Sequence, residues 1–143
     1  QRIEYNAFYK WSGLLSLDLS TCVNLVEIGS SAFRFCSNLV TVNLTGCVKL
    51  TSLGSWVFGE CSSLQTVELS GCSALKTIES YAFNGCYQLS GFDFSQLTAL
   101  KDIGERAFED LPFLIVVISL ALISVKAHSS QLFLLERLVL VKA

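Results

Sequence analysis

The chain has 143 residues, 52% hydrophobic and 15% charged, with a single Pro, which excludes a disordered, collagen-like or Pro-rich linker protein. Its 10 basic and 12 acidic residues leave a net charge of −2, so no basic surplus exists to hold a nucleic-acid backbone. The mean hydropathy of +0.55 is unevenly spread: residues 111–143 carry only Lys126, Glu136, Arg137 and Lys142 as charges, whereas residues 1–110 carry seven basic and eleven acidic residues, a net −4.

The chain starts at Gln1 without Met, basic n-region or apolar h-region, and reaches its first core position at Ile3. It reads as an excerpt entering part-way through a row, so the missing signal peptide says nothing about compartment. From Ile3 onward a strict 25-residue period aligns Phe8, Phe33, Phe58, Phe83 and Phe108, and likewise Ile3, Ile28, Leu53, Ile78 and Ile103. Further columns hold Leu14, Leu39, Leu64, Leu89 and Leu114; Leu17, Val42, Val67, Phe92 and Val117; and Leu25, Leu50, Leu75, Leu100 and Val125. Five rows in register without an insertion predict a solenoid, in which each row buries its apolar face against its neighbours.

Within a row, Leu39-x-x-Val42-x-Leu44 alternates at period two and predicts a short strand with its apolar side inward. The phenylalanines Phe33, Phe58, Phe83 and Phe108 are expected to stack beneath the convex side. Gly29, Gly54 and Gly104 share a column that suggests a turn needing a permissive backbone, although Glu4 and Glu79 in the same column show that Gly is not obligatory.

The six cysteines fall on two columns, Cys22, Cys47, Cys72 and Cys36, Cys61, Cys86. The only His, His128, lies in the tail, so neither a zinc site nor any other cofactor is expected. Rows about 4.8 Å apart admit vertical disulfides by distance, but parallel Cβ vectors and three members per column argue against them. Small buried thiols, weakly hydrogen-bonded to loop carbonyls, are the expected role.

The frame Leu39-x-x-Val42-x-Leu44-x-x-Cys47-x-x-Leu50 recurs from Leu14, from Leu64 and, with Leu97 in place of Cys, from Leu89. The other half-row repeats Ile28-Gly29-x-x-Ala32-Phe33-x-x-Cys36-x-x-Leu39, matched at Ile78 and Ile103. These strings resemble the leucine-rich repeat in its BspA-like type, known from bacterial and protist surface proteins. The resemblance implies an α/β leucine-rich-repeat solenoid, with short parallel strands on the concave face and short helical or irregular segments on the convex face. Residues 1–113 form that solenoid, about four and a half repeats, and residues 114–143 a divergent apolar tail.

Strand residues between core positions form outward columns. The middle one holds Asp18, Asn43, Glu68 and Asp93, flanked by Ser16, Thr41, Thr66 and Gly91 on one side and Ser20, Thr45, Ser70 and Ser95 on the other. This hydroxyl-lined, mildly acidic strip is, as a surface, the candidate binding face, suited to a basic or polyhydroxylated partner; for any single residue, solvation of an exposed strand position is the more ordinary reason to be polar. Asn43-Leu44-Thr45 matches an N-glycosylation acceptor, but its place within a strand predicts that it is unused.

In the tail, residues 111–125 carry no charge. At fifteen residues with a Pro the stretch is short for a membrane helix, which needs about 20. Leu114, Val117, Leu122, Val125 and Phe133 still occupy apolar columns, so a decayed row, a cap and a membrane-seeking segment all remain open, as does an unnatural tail from a truncated or shifted reading frame.

No nucleophile elbow, phosphate loop or H-E-x-x-H motif is present in the chain, and no enzyme activity is expected. The resemblance implies a binding module that adheres to host or matrix proteins, or to glycan, at a cell surface or after secretion. Nucleic acid is not an expected partner, and membrane contact of the tail stays open. The cysteine-containing spacing is also similar to the repeats of ubiquitin-ligase adaptors, so an intracellular substrate receptor is the alternative, and a structural spacer a third.

Overall fold

A computed structural model describes residues 1–111 and, beyond them, the backbone of three short strands at 115–118, 126–127 and 140–142. Each 25-residue row contributes two strands. The first set is β1 (Arg2–Ile3), β3 (Glu27–Ile28), β5 (Ser52–Leu53), β7 (Thr77–Ile78) and β9 (Asp102–Ile103), which with β11 (Lys126–Ala127) forms one continuous six-stranded sheet. The second set is β2 (Ser16–Asp18), β4 (Thr41–Asn43), β6 (Thr66–Glu68) and β8 (Gly91–Asp93), followed by β10 (Ile115–Ile118) and β12 (Leu140–Lys142). Every pairing is parallel, and among rows 1–5 the paired residues lie one repeat apart, as in Ser16 with Thr41 and Thr41 with Thr66.

The expected solenoid is therefore present, with one element more per row than the sequence separates. Ile28, Leu53 and Ile78 are fully buried, while Glu27, Ser52 and Thr77 beside them are partly exposed. Two residues of alternation suffice for a ladder when identical segments stack on both sides.

The half-row expected as helical or irregular is irregular. Its backbone donors alternate: Phe8 N donates along the stack to Ala32 O at 2.7 Å, Phe33 N to Val57 O at 2.9 Å and Phe58 N to Ala82 O at 2.9 Å, while the donors between them, such as Ala32 N to Gly29 O and Arg34 N to Ser31 O, bond three residues back in their own row. A helix would need those N–H groups for bonds within its own segment. Alternation with left-handed residues makes the arrangement feasible. Asn6, Ser31, Trp56, Tyr81 and Arg106 form one column at φ 55–61°, and Lys10, Phe35, Glu60, Gly85 and Asp110 another at φ 59–75°.

The Gly29 column is not where backbone freedom is needed, because neither Gly29, Gly54 nor Gly104 has positive φ. These glycines allow rows to approach: a Cβ on Gly54 would lie 2.5 Å from Ser30 N. At Glu79 the column admits a side chain, whose carboxylate accepts from Ser55 N at 3.0 Å and Ser55 Oγ at 2.8 Å.

The core is one cluster running the length of the described rows. Phe8, Phe33, Phe58, Phe83 and Phe108 stack with centroids 5.1–5.6 Å apart and planes within 20°. Trp11 occupies the column that holds Cys36, Cys61 and Cys86 in later rows, and its indole stacks on Phe8 at 5.4 Å. Phe92, the strand residue of row four, meets Phe83 at 5.2 Å and Phe108 at 4.9 Å edge-to-face, joining the strand side of the core to the stack.

The second set of strands is not one sheet. Its ladder divides between β6 and β8, giving β2-β4-β6 and β8-β10-β12. The division coincides with Gly91, which stands where rows one to three have Ser16, Thr41 and Thr66; a glycine weakens a strand at that point.

Beyond residue 111 the register shortens by one. Val116, and not Val117, pairs with Phe92, while Val117 pairs with Asp93; Ala127 pairs with Ile103, and Leu140 with Val116, each offset by 24. The expected column of Leu17, Val42, Val67, Phe92 and Val117 thus breaks at its last member. A one-residue slip exchanges the two sides of a strand. Leu114, Leu122, Val125 and Phe133 lie outside the described residues. Among the described residues, no helix is long and apolar enough to cross a membrane.

Candidate binding face

Strands β2, β4 and β6 bring most of the predicted strip together. Their central residues, Leu17, Val42 and Val67, turn into the core, and the residues on either side turn out. Ser16, Thr41 and Thr66 are exposed and aligned by register, as are Asp18, Asn43 and Glu68, with Asn43 half-buried. Ser20 and Thr45 are half-buried beside them and Ser70 is exposed. Asp93 and Ser95 follow on β8, beyond the break in the ladder, so the strip is continuous over three rows and stepped at the fourth.

The middle column has a structural task that sequence reasoning missed. Asp18 Oδ1 accepts the N–H of Ser20 at 2.9 Å, Asn43 Oδ1 that of Thr45 at 3.1 Å, and Asp93 Oδ1 that of Ser95 at 2.7 Å. Thr45 Oγ1 also donates to Asn43 Oδ1 at 2.9 Å. Each is an Asx-turn that ends the strand, and the signal was legible as Asp or Asn two residues before Ser or Thr. The Ser20 N–H lowers the Asp18 pKa below the ordinary carboxylate value, fixing a negative charge on an exposed side chain. For Asn43 the same bonds place its amide in a structural turn.

The cysteine columns form a second regular array. Cys36 Sγ donates to Phe8 O at 3.2 Å, Cys61 to Phe33 O at 3.1 Å and Cys86 to Phe58 O at 3.1 Å. In the other column Cys47 donates to Leu19 O at 3.3 Å and Cys72 to Leu44 O at 3.2 Å. All six are free thiols; five are buried and Cys22 is half-buried. Desolvation is the main cause that raises their pKa values, to about 11 for Cys47 and about 12 for Cys72, and upward for Cys36, Cys61 and Cys86. Thiols held protonated in this way are poor nucleophiles and poor metal ligands at neutral pH. Among the described residues, no group of three or more His, Cys, Asp or Glu could hold a metal ion.

A third grouping, on the turn segments, was not anticipated. Trp56 and Tyr81 stack at 4.4 Å with planes 1° apart. The Arg34 guanidinium lies 3.9 Å over Trp56 and 4.8 Å from the Phe35 ring, and Lys10 Nζ lies 5.7 Å from Phe35 and 5.2 Å from Tyr9. Gly59 makes room for the indole, since a Cβ there would sit 2.5 Å from the ring. Arg106 approaches the Tyr81 ring at 5.9 Å. These residues differ from row to row, so no column marks them.

A family model of the BspA type leucine rich repeat region matches residues 1–133 in six copies. Among solved structures, a leucine-rich repeat protein from Bacteroides ovatus is similar at 22% identity, with a TM-score of 0.34, over 84% of this chain and 47% of that one. The chain thus spans about half the length of the solved protein it matches. Comparison with curated proteins returns no significant match.

Proposed function

Since this chain belongs to the BspA-type leucine-rich repeat family, whose repeats build protein-interaction modules, we propose that it is a non-enzymatic adhesion module that contacts its partner through the face of the three-residue strands. The observation that carries this reading is the register of that face. Ser16, Thr41 and Thr66 repeat beside Asp18, Asn43 and Glu68 on backbone held by ladder bonds on both sides of β4. Side chains so placed lose little freedom on binding, which favours affinity.

The chemistry of the face fits a basic protein surface. Asp18 and Glu68 stand two strands apart with the uncharged Asn43 between them, and Asp93 follows beyond the break in the ladder, so the face carries spaced negative charges that a cationic partner can pair. In Asp18 and Asp93 one carboxylate oxygen closes the turn and the other remains for a partner. Such a module acts at a cell surface or after secretion, where matrix or host proteins supply the partner.

Residues 114–143 we read as further, shortened rows of the same solenoid. The parallel pairing of β10, β11 and β12 and a family match reaching residue 133 support this reading over a membrane-seeking segment.

The test is steric. Thr41→Arg and Thr66→Arg, at the middle of the face, should each abolish capture of immobilised matrix proteins, whereas Thr98→Arg, exposed elsewhere on the row, should leave it intact. Equal capture by all three variants would remove the strand face from the account.

A further inference from the structure

The grouping on the turn segments differs in chemistry from the strand face. Lys10 and Arg34 flank one aromatic ring, Phe35, each within 6 Å of its centre. Among the described residues the ion pairs are Arg2 with Glu27 and Arg106 with Glu105 and Glu109, so neither Lys10 nor Arg34 is neutralised by a carboxylate. Arg34 Nε is buried without a hydrogen-bond acceptor, while the guanidinium carbon lies 3.9 Å over the Trp56 ring. A guanidinium over an aromatic face can still offer its N–H donors to a carboxylate beyond the ring edge. The site also carries a conformational cost. Lys10, Phe35 and Trp56 all have φ near +60°, and Gly85 occupies the same column as Lys10 and Phe35 in row four. Bulky side chains seldom adopt such backbone.

We propose that Lys10, Arg34 and the Tyr9–Phe35 edge form a docking surface for an acidic polypeptide segment, distinct from the strand face. Carboxylates of the segment take the Arg34 fork and the Lys10 ammonium, and an apolar side chain lies against Tyr9, which is 38% exposed. The closed ring faces decide against two other occupants. Trp56 is covered by Arg34 on one face and Tyr81 on the other, so neither a sugar ring nor a nucleic-acid base finds an open platform there. An Arg–carboxylate fork needs no open ring face.

The experiment measures fluorescence anisotropy of a labelled oligoglutamate peptide containing one Phe, with the matching oligoglutamine peptide and a labelled heparin fragment in parallel, on the full chain. Expected is binding of the glutamate peptide that weakens with salt and falls about tenfold or more in both Arg34→Gln and Lys10→Gln. Arg34→Lys, which keeps charge but loses the fork, should fall between. Lys10 is exposed, so Lys10→Gln reads the site even if Arg34→Gln disturbs packing, and circular dichroism melts report that disturbance separately. Glutamate and glutamine peptides binding alike, or glutamate binding that survives both Gln variants, overturns the proposal. Tighter heparin binding lost in the same variants also overturns it, in favour of a sulfated glycan. Concentration-dependent self-association abolished by Lys10→Gln overturns it in favour of a second copy of the chain. None of these outcomes depends on the strand face, which the variants leave untouched.

Discussion

The thiol of Cys61 donates to the carbonyl oxygen of Phe33 at 3.1 Å, and that oxygen already accepts the backbone N–H of Cys36 at 3.2 Å. One acceptor with two lone pairs thus closes a turn within its own row and ties that row to the next. Phe58 O repeats the arrangement with Cys61 N and Cys86 Sγ, and Leu44 O with Cys47 N and Cys72 Sγ. Cys36, Cys61 and Cys86 in one column and Cys47 and Cys72 in the other are thus row-to-row staples made without oxidation.

Cys61→Ala should cost about 1–2 kcal/mol, from the lost sulfur packing and a carbonyl left half-satisfied. Cys22→Ala, at a half-buried position in the first described row, should cost less. Urea titration of the two variants against the parent protein checks the order.

Alkaline pH should destabilise the fold through the same thiols. In the unfolded chain they titrate near 9.0, whereas in the fold Cys47 and Cys72 titrate at about 11 and about 12. The native state therefore holds protons that the unfolded chain releases. This contribution is complete below about pH 9 and is lost as pH rises through the folded values. Melting temperatures measured at rising pH should fall above that point, and Cys72→Ala should fall less steeply. Under native conditions at neutral pH a thiol reagent should label Cys22 before the other five.

Phe58 lies between Phe33 at 5.4 Å and Phe83 at 5.6 Å and is fully buried. Phe58→Ala opens a cavity in the middle of the stack and should cost about 3–5 kcal/mol. Phe8→Ala, at a position already 37% exposed, should cost clearly less. Equal losses in chemical denaturation would mean that the stack does not act as a continuous core.

Asp93→Ala removes the acceptor for Ser95 N and should cost about 1 kcal/mol, whereas Asp93→Asn keeps the Asx-turn and should be close to neutral. Thermal melts of the pair separate the role of the oxygen from that of the charge.

Much of this fold is legible in the sequence because the repeat reports burial five times over. Phe33, Phe58 and Phe83 share a column and are the largest fully buried side chains. The features that were not legible have identifiable causes. A two-residue strand such as Glu27–Ile28 offers too little alternation to separate from a turn. Trp56 and Tyr81 give no sign of left-handed backbone, since bulky residues ordinarily avoid it; stacking between rows overrides the preference. In Ile115–Ile118 every residue is apolar, so period two carries no parity and a one-residue slip leaves no mark on the pattern. The strip was found as a set of exposed columns, but the turn-closing role of Asp18, Asn43 and Asp93 lies in a local i to i+2 relation that the 25-residue alignment does not display.

The most direct test of the binding account removes the charge of the strand face while keeping its turns, in the triple variant Asp18→Asn, Glu68→Gln, Asp93→Asn. Binding of purified protein to immobilised matrix proteins is measured for parent and variant at low and moderate salt, after melts show both folded alike. The account predicts that the parent binds in a salt-sensitive manner and that the variant loses at least about tenfold in affinity, some 1.4 kcal/mol. Binding of the variant equal to that of the parent would contradict it.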